Sequence, residues 1–428
     1  MERPVIDAAA RADAPADEGS ASWIVILVVS LFFIWGGITS LNDILIPKLK
    51  ALFQLSYARA MLIQFAFFTA YAVVSLPAGG LVARLGYGRG ITLGLALAAG
   101  GCVMFAPAAA TASYGLFLAS LFILAAGITI LQVAANPLIA NLGSTATSHS
   151  RLTLAQAFNS LGTTIMPYLG AQLILGSLDQ PESGRILPSG LAAYRAREGA
   201  VIGHAYLGLA AALGAAALVF WLVRGRLGRA DPAASLRGAG TLLRRPRLGF
   251  GVASIFLYVG AEVTIGSLLV SYLMQPSTLA LTPQAAGERI SLYWGGAMVG
   301  RFLGAALLRV VPPGRLLAAV ALGAGGLCLV SAATTGDLAG WSLLAVGLMN
   351  SIMFPTIFSL ALEGLGEKTP QGSGLLCMAI VGGAVVPVLG GAVADGAGLA
   401  LALLVPAACY ALIAGFGWYA RRPASAAT

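Results

Sequence analysis

The sequence predicts an all-α integral membrane protein with twelve transmembrane helices arranged as two halves of six. Three observations support this prediction: the composition, a series of apolar stretches, and an internal repeat. Hydrophobic residues make up 58% of the 428-residue chain, charged residues only 10%, and the mean hydropathy is +0.88. Soluble globular proteins carry roughly 25% charged residues. A water-soluble chain of this size is therefore excluded, and the natural partner is a lipid bilayer.

The chain begins with an Ala-rich stretch, residues 1–21, that contains several acids. It lacks the basic start and apolar core of a secretory signal, so we predict a disordered cytoplasmic tail. Apolar stretches of about 20 residues or more follow, the length needed to cross a bilayer. We number them as spans 1 to 12, predicted at 22–47, 57–83, 90–110, 113–140, 149–176, 203–224, 248–274, 287–310, 314–334, 339–363, 372–395 and 398–420.

Two longer connections interrupt the spans. Residues 177–202 carry charges of both signs, whereas residues 224–247 carry seven arginines against one acid, Asp231. With the N-terminus inside, 17 of the 25 Lys and Arg residues are cytoplasmic, 7 are external, and Arg301 lies within a span. Because basic residues collect on the cytoplasmic side, both termini are predicted there, in a bacterial-type cell inner membrane. The +9 net charge reflects this orientation rather than nucleic-acid binding.

The internal repeat divides the spans into two halves. Pro137 and Pro355 are 218 residues apart, and Asp43 and Glu262 are 219 apart. Parallel repeats of this kind place the substrate site between the halves. We therefore predict a major facilitator fold with an N-terminal half at 22–224, a cytoplasmic linker at 225–247, a C-terminal half at 248–420, and a cytoplasmic tail at 421–428.

Asp43 is the strongest candidate for a functional group. It lies inside span 1 with Thr39 and Asn42 at i−4 and i−1, so on a helix the three are expected to share one face. A carboxylate at membrane depth costs roughly 2.5–3.5 kcal/mol on insertion scales, and such acids usually face a bundle interior or a water-filled path. This indicates a transporter with Asp43 as its proton-coupling group. The oxygen atoms of the three residues would also suit Na⁺, which remains an alternative.

Two further ionisable residues lie well inside predicted spans, Glu262 in span 7 and Arg301 in span 8. Glu262 is predicted to be either a second proton-coupling residue or a fixed partner in a charge pair, and the sequence leaves both open. Arg301 is predicted to have a structural or gating role.

Neutral amides form the candidate substrate site. They occur as Gln132 and Asn136 on span 4, Gln156 and Asn159 on span 5, and Asn350 on span 10. An amide donates and accepts hydrogen bonds, so such a set suits a ligand covered in hydroxyl groups. Single amides often serve interhelical hydrogen bonds instead, but four on adjacent segments favour a polar cavity.

Five segments carry a family resemblance: LNDILIP, LQVAANPLIANLG, RLTLAQAFNSLG, YVGAEV and PTIFSLALEGLG. They resemble the fucose–proton symporter family of the major facilitator superfamily, and LQVAANP and YVGAEV look more like its glucose/galactose branch. The resemblance implies that Asp43 is the protonated coupling residue and that Gln156 and Asn159 line the sugar cavity. Fucose members carry a glutamate at the position of Gln132, so their mechanism is not expected to transfer unchanged.

The loop after span 2 departs from the superfamily pattern. GGLVARLGYGR keeps Arg84 and Arg89 but has Ala83 where the pattern has an acid. A gating role for the two arginines is therefore expected to be altered rather than absent.

The predicted function is uptake of a hexose, glucose or galactose by resemblance, by proton symport. Alternatives are a sodium-coupled sugar carrier, a proton-coupled efflux antiporter and a non-transporting membrane sensor. No nucleophile–base pair, metal cluster or phosphate loop occurs, so an enzyme, a cofactor and a bound metal are not expected. The four cysteines, in apolar runs without CxxC spacing, are predicted to be small buried side chains. The protein is predicted to be a monomer.

Overall fold

The computed structural model describes residues 18–142, 148–175, 188–228 and 239–422. Every regular element within these ranges is a helix. Most of the predicted N-terminal tail, the centre of the basic linker and the last six residues lie outside the described residues. Span 1 begins at Glu18, four residues before its predicted start. The predicted limits of the domains stay predictions.

Spans 1 to 6 form the N-terminal half. Span 6 starts much earlier than predicted because residues from Pro188 onward, expected to be a loop, continue the helix; Ala is the best helix former, and Pro suits the first helical turn. The bounds are Glu18–Phe53, Tyr57–Ala60 with Leu62–Leu85, Tyr87–Val103 with Phe105–Ala110, Tyr114–Asn141, Ser148–Gly170 with a π-helical turn Ala171–Leu175, and Pro188–Val223.

Spans 7 to 12 form the C-terminal half, after short helical turns at Arg224–Arg226 and Ala239–Leu242. Spans 7, 8 and 9 each have proline in the first helical turn, where its missing N–H costs no hydrogen bond. The bounds are Pro246–Leu273, Pro283–Leu307, Pro313–Ala333, Gly336–Asn350 with Met353–Leu362, Thr369–Met378 with Ala379–Val381 and Gly382–Ala397, and Leu399–Ala402 with Leu404–Tyr419.

Ten helical segments among the described residues are long and apolar enough to cross a membrane. Spans 5 and 8 are as long but less apolar, because span 5 carries Gln156 and Asn159 and span 8 carries Glu288, Arg289 and Arg301. With these two, the predicted twelve-helix arrangement is confirmed.

The bundle has two distinguishable ends. At the end we call the terminal end, the guanidinium of Arg226 lies 5.8 Å from the ring centre of Trp23, and Arg247 donates to the carbonyl of Arg422 at 2.8 Å. At the opposite end, the far end, the Tyr114 hydroxyl donates to the carbonyl of Arg59 at 2.6 Å.

The two halves are in contact at the far end. Asp395 of span 11 accepts hydrogen bonds from the backbone N–H groups of Tyr57 and Ala58, at 2.6 and 2.9 Å. Gly391 permits this approach, since a methyl group there would lie 2.9 Å from the Ala58 Cα atom. A methyl group at Gly287 of span 8 would likewise lie 2.8 Å from span 5. The far end is therefore closed across the interface between the halves.

A buried ion pair stabilises the N-terminal half. Lys48 in span 1 donates to Glu198 in span 6, and their side chains are 0% and 1% exposed. The prediction that Lys48 follows span 1 and that Glu198 lies in a loop was wrong. Both helices are longer than their apolar runs, and the two charges in the added turns are buried as a pair rather than singly.

Candidate functional site

A cavity of about 500 Å³ lies between the two halves. The predicted functional residues in its wall come from spans 1, 4, 5, 7 and 8: Thr39, Asp43, Gln132, Asn136, Gln156, Asn159, Glu262 and Arg301. The first and last of these residues, Thr39 and Arg301, are 262 positions apart in the sequence and meet at one site in the fold.

The amides of the wall all come from the N-terminal half. Gln132 donates to the Tyr71 hydroxyl at 2.8 Å, and Asn159 donates to the carbonyl of Phe32 at 3.1 Å. Asn136 Oδ1 is buried without a hydrogen-bond partner, and Gln156 is exposed. The four predicted amides of spans 4 and 5 are therefore brought together, and two of them, Asn136 and Gln156, keep hydrogen-bonding capacity for a ligand.

The C-terminal half presents a mostly apolar surface opposite the amides. It includes Phe354 and Phe358, whose rings stack with centroids 5.9 Å apart. Val259, Val263, Ala297 and Ile380 line the same side. Trp35, Phe68 and Tyr71 add aromatic surface from the N-terminal half. The cavity has one face rich in hydrogen-bonding groups and another rich in aromatic and aliphatic carbon.

Asp43 forms part of the wall although its side chain is only 3% exposed. Gln64 Nε2 donates to Oδ1 at 3.2 Å, and Trp294 Nε1 donates to Oδ2 at 3.2 Å. Thr39 Oγ1 donates to the carbonyl of Trp35 at 2.8 Å. Sequence reasoning identified Asp43 but missed Gln64, whose signal was a polar side chain within the apolar run MLIQFAFF.

Asn42 and Asn350 are outside the cavity wall. Asn42 is 1% exposed, and neither of its amide atoms has a hydrogen-bond partner. It points away because adjacent residues on a helix are about 100° apart, whereas Thr39 and Asp43 are one turn apart. Asn350 Nδ2 donates to the Tyr293 hydroxyl at 2.8 Å, which fixes it within the C-terminal half. Neither residue reaches the cavity as the predicted substrate site requires.

Glu262 and Arg301 both line the cavity, but they do not form an ion pair with each other. Glu262 Oε1 accepts a hydrogen bond from the Tyr258 hydroxyl at 2.6 Å. Arg301 donates to the hydroxyl of Ser160, which joins span 8 to span 5. The described residues form the ion pairs Lys48–Glu198 and Arg247–Glu363, and neither pair involves the ionisable residues of the cavity wall. Arg301 thus links the halves through a neutral partner.

Arg84 and Arg89 lie in a separate pocket of about 730 Å³ at the terminal end. Ala83 and Arg224 also line this pocket, which shares no lining residue with the central cavity. A gating role for the two arginines stays a prediction.

Cys377 differs from the other cysteines. Cys102, Cys328 and Cys409 are buried as predicted, whereas Cys377 is exposed and lines the cavity. The prediction of four buried thiols was wrong for Cys377, because span 11 turns this side of the helix towards the cavity. No cluster of three or more His, Cys, Asp or Glu side chains suited to a metal occurs in the described ranges.

A helical bundle in two halves, with a polar cavity between them at membrane depth, defines a membrane transporter. The profile of the Major Facilitator Superfamily matches residues 27–379. A glucose/galactose transporter of Brucella abortus is 52% identical over 388 residues, covering 90% of this chain and 91% of that protein. The L-fucose-proton symporter of Escherichia coli is 37% identical over 410 residues, covering 92% of each.

The crystal structure of the major facilitator transporter FucP in its outward conformation also matches. It has a TM-score of 0.68 and 35% identity, and the match covers 92% of this chain and 98% of that one. The chain belongs to the Major Facilitator Superfamily, in the group that includes these sugar transporters. The predicted family and fold are confirmed, as is the prediction of a transporter rather than an enzyme.

Proposed function

We propose that this transporter takes up a hexose of the glucose/galactose type by proton symport, with Asp43 as the coupling group. The observation that carries the proposal is the position of Asp43. It is a buried carboxylate in the wall of a cavity that also presents five neutral amides, one of which is Gln64. The names of the relatives, glucose/galactose transporter and L-fucose-proton symporter, support both the substrate class and the coupling ion.

The two faces of the cavity suit a sugar ring. Hydroxyl groups can exchange hydrogen bonds with Gln132, Asn136, Gln156 and Asn159, and the C–H face of the ring can pack on aromatic side chains. The volume of about 500 Å³ lies within the usual range of roughly 300–1,000 Å³ for small-molecule pockets. An apolar compound carried by an efflux antiporter would offer no hydrogen bond to Asn136 Oδ1 or to the exposed Gln156.

Coupling follows from the cost of burying charge. Closing the cavity around ionised Asp43 is unfavourable, so protonation favours the closed, sugar-loaded state. A sugar that binds the protonated form more tightly then lets the proton gradient shift the population of states. Glu262 is a second candidate for proton coupling, because it is a half-buried acid in the wall of the same cavity.

The surroundings of Asp43 support a proton over Na⁺. A sodium site requires several oxygen ligands, but both carboxylate oxygens of Asp43 accept hydrogen bonds from N–H groups. Asn42, whose amide oxygen was a candidate ligand for Na⁺, is not part of the cavity wall. We further propose a bacterial cell inner membrane location with both termini cytoplasmic, on the distribution of basic residues.

Uptake into proteoliposomes tests this function. Labelled glucose, galactose and fucose are supplied under an imposed inward proton or sodium gradient. Glucose or galactose is expected to accumulate with the proton gradient alone; accumulation driven only by sodium would overturn proton coupling. The variant Asp43→Asn resembles the protonated acid but cannot release a proton, so it should lose accumulation and retain sugar exchange. Glu262→Gln, assayed in parallel, decides whether the second acid shares the role.

A further inference from the structure

Hydrogen bonds that cross between the halves converge on the Asp43 carboxylate. Trp294, which donates to Oδ2, belongs to span 8 in the C-terminal half, whereas Asp43 belongs to span 1. Gln64 of span 2, which donates to Oδ1, also donates to the Ser267 hydroxyl of span 7 at 2.9 Å. The carboxylate is therefore bonded directly to the opposite half by Trp294 and indirectly through Gln64.

Close packing holds this arrangement. A methyl group at Gly266 of span 7 would lie 3.0 Å from Asp43 Oδ2, so the absence of a side chain lets the carboxylate approach the C-terminal half. Gln64 is 2% exposed and Ser267 is 1% exposed. The contacts exist only while spans 7 and 8 lie against spans 1 and 2, as they do with the far end closed.

The two donors differ in what they can bond. The Trp294 indole N–H is a donor only, so its best partner is an ionised carboxylate. The Gln64 amide can donate or accept, and its Oε1 is buried without a partner in this arrangement. Rotating the amide by half a turn would place Oε1 where it can accept from a protonated Asp43 and from the Ser267 hydroxyl. Gln64 can thus satisfy either protonation state, whereas Trp294 favours the ionised one.

We propose that Trp294 and Gln64 are positioning residues that make proton release from Asp43 depend on closure of the far end. This rests on the proton symport proposed above. With the halves in contact, N–H donors stabilise the ionised carboxylate and the proton leaves. When the halves separate at the far end, Trp294 and Ser267 withdraw, and the buried carboxyl retains its proton. The same movement that exposes the cavity to the other side thereby changes the proton affinity of the coupling group.

Other ionisable groups also face Asp43. Glu262 of span 7 and the Tyr293 hydroxyl of span 8 interact with it electrostatically, and Arg301 acts on Glu262. Gln64 and Ser267, from spans 2 and 7, are neutral. An ionised Glu262 would repel the negative charge of an ionised Asp43, whereas the N–H groups of Trp294 and Gln64 attract that charge. The test is therefore run both in the native chain and in the Glu262→Gln background.

The test is sugar binding as a function of pH, measured by calorimetry on the purified full-length transporter with glucose and galactose. If the sugar prefers protonated Asp43, binding falls as the pH rises. Trp294→Phe keeps an aromatic ring but removes the N–H, so the midpoint of this fall should move to higher pH by about one unit, a tenfold change in proton concentration. Trp341→Phe, at an exposed position in span 10, is the matched control and should keep the native midpoint.

The midpoint separates positioning from sugar contact, because loss of a stacking surface lowers affinity at every pH without moving the midpoint. A native midpoint in Trp294→Phe overturns the inference while leaving symport intact. Wild-type binding that does not vary with pH, together with no proton-driven uptake, overturns both. Gln64→Met should move the midpoint less than Trp294→Phe, because the Gln64 amide can bond either protonation state of Asp43. In Asp43→Asn, adding Trp294→Phe should produce no pH-dependent effect.

Discussion

The carboxylate of Asp395 caps the first turn of span 2 by accepting the N–H of Tyr57 at 2.6 Å. Asp395 belongs to the C-terminal half and Tyr57 to the N-terminal half. Negative charge is favourable at a helix N-terminus, where backbone N–H groups have no partner within the helix. The bond therefore holds the halves together at the far end, and it must break before that end can open.

We predict that Asp395→Asn weakens closure of the far end. Asparagine keeps an acceptor oxygen but loses the negative charge at the helix N-terminus, which contributes about 0.3–1 kcal/mol and changes the ratio of closed to open molecules by about two- to fivefold. Spin labels at Thr111 and Thr334, in a variant without native cysteines, report the separation of the two halves. The distance distribution should gain a longer component. Asp337→Asn, an exposed acid outside this contact, is the matched control.

Gly391→Ala should act in the same direction as Asp395→Asn. The added methyl group would lie 2.9 Å from the Ala58 backbone, so spans 2 and 11 cannot approach as closely. A distance distribution equal to that of the native chain in both variants would show that this contact does not govern closure.

We predict that Glu198→Gln destabilises the protein by about 3 kcal/mol or more. Glu198→Gln breaks the buried ion pair with Lys48, and breaking a buried pair by removing one of its charges is strongly destabilising. Thermal unfolding in detergent gives the comparison. Glu363→Gln is the matched control, because its pair with Arg247 is 43% and 14% exposed and should contribute less than about 1 kcal/mol. Equal melting of Glu198→Gln and the native chain would refute the prediction.

We predict different outcomes for the two amides of span 5. Gln156→Ala should weaken sugar binding by about 1–3 kcal/mol with little change in stability, because its side chain is exposed to the cavity. Asn159→Ala should weaken binding and also lower the melting temperature, since Asn159 bonds to the Phe32 carbonyl and packs on Gly36. Calorimetry and thermal unfolding measure the two effects separately. Unchanged affinity in Gln156→Ala would remove this residue from the sugar site.

We predict that Cys377 is the thiol modified most readily by N-ethylmaleimide, and that glucose or galactose slows the reaction. Cys377 lines the cavity, whereas the other three cysteines are buried. Mass spectrometry of peptides after timed labelling gives the rate at each cysteine. Cys377→Ala supplies the control for background labelling. Labelling of Cys377 at the same rate with and without saturating sugar would place the substrate elsewhere.

Sequence reasoning found the residues whose type is unusual for their surroundings. Asp43 and Glu262 are acids in apolar runs, and the amides of spans 4 and 5 recur at helical spacing, so each was recognisable alone. The twelve-helix fold was predictable for a similar reason, since the bilayer imposes a length on every span.

Pairing between distant positions was not predictable from spacing. Trp294 and Asp43 are 251 residues apart, and only the folded arrangement of spans 1 and 8 brings the indole N–H to the carboxylate. Lys48 and Glu198 were assigned to connections because each charge taken alone is costly in a membrane; their mutual compensation appears only after folding. Asn42 was predicted to share a helix face with Asp43, but adjacent positions on a helix are about 100° apart, and only Asp43 reaches the cavity.

The unequal division of the cavity wall has a consequence for how this protein can diversify. Every neutral amide in the wall belongs to the N-terminal half, whereas Trp294 and the paired phenylalanines belong to the C-terminal half. A ligand held by the amides travels with one half while the other half swings past it. Substitutions in spans 4 and 5 can therefore alter which sugar is selected without altering the donor that spans the interface to Asp43. Under the proposed mechanism, an exchange of whole halves between relatives would move the amides and Asp43 together and would replace only the Trp294 donor.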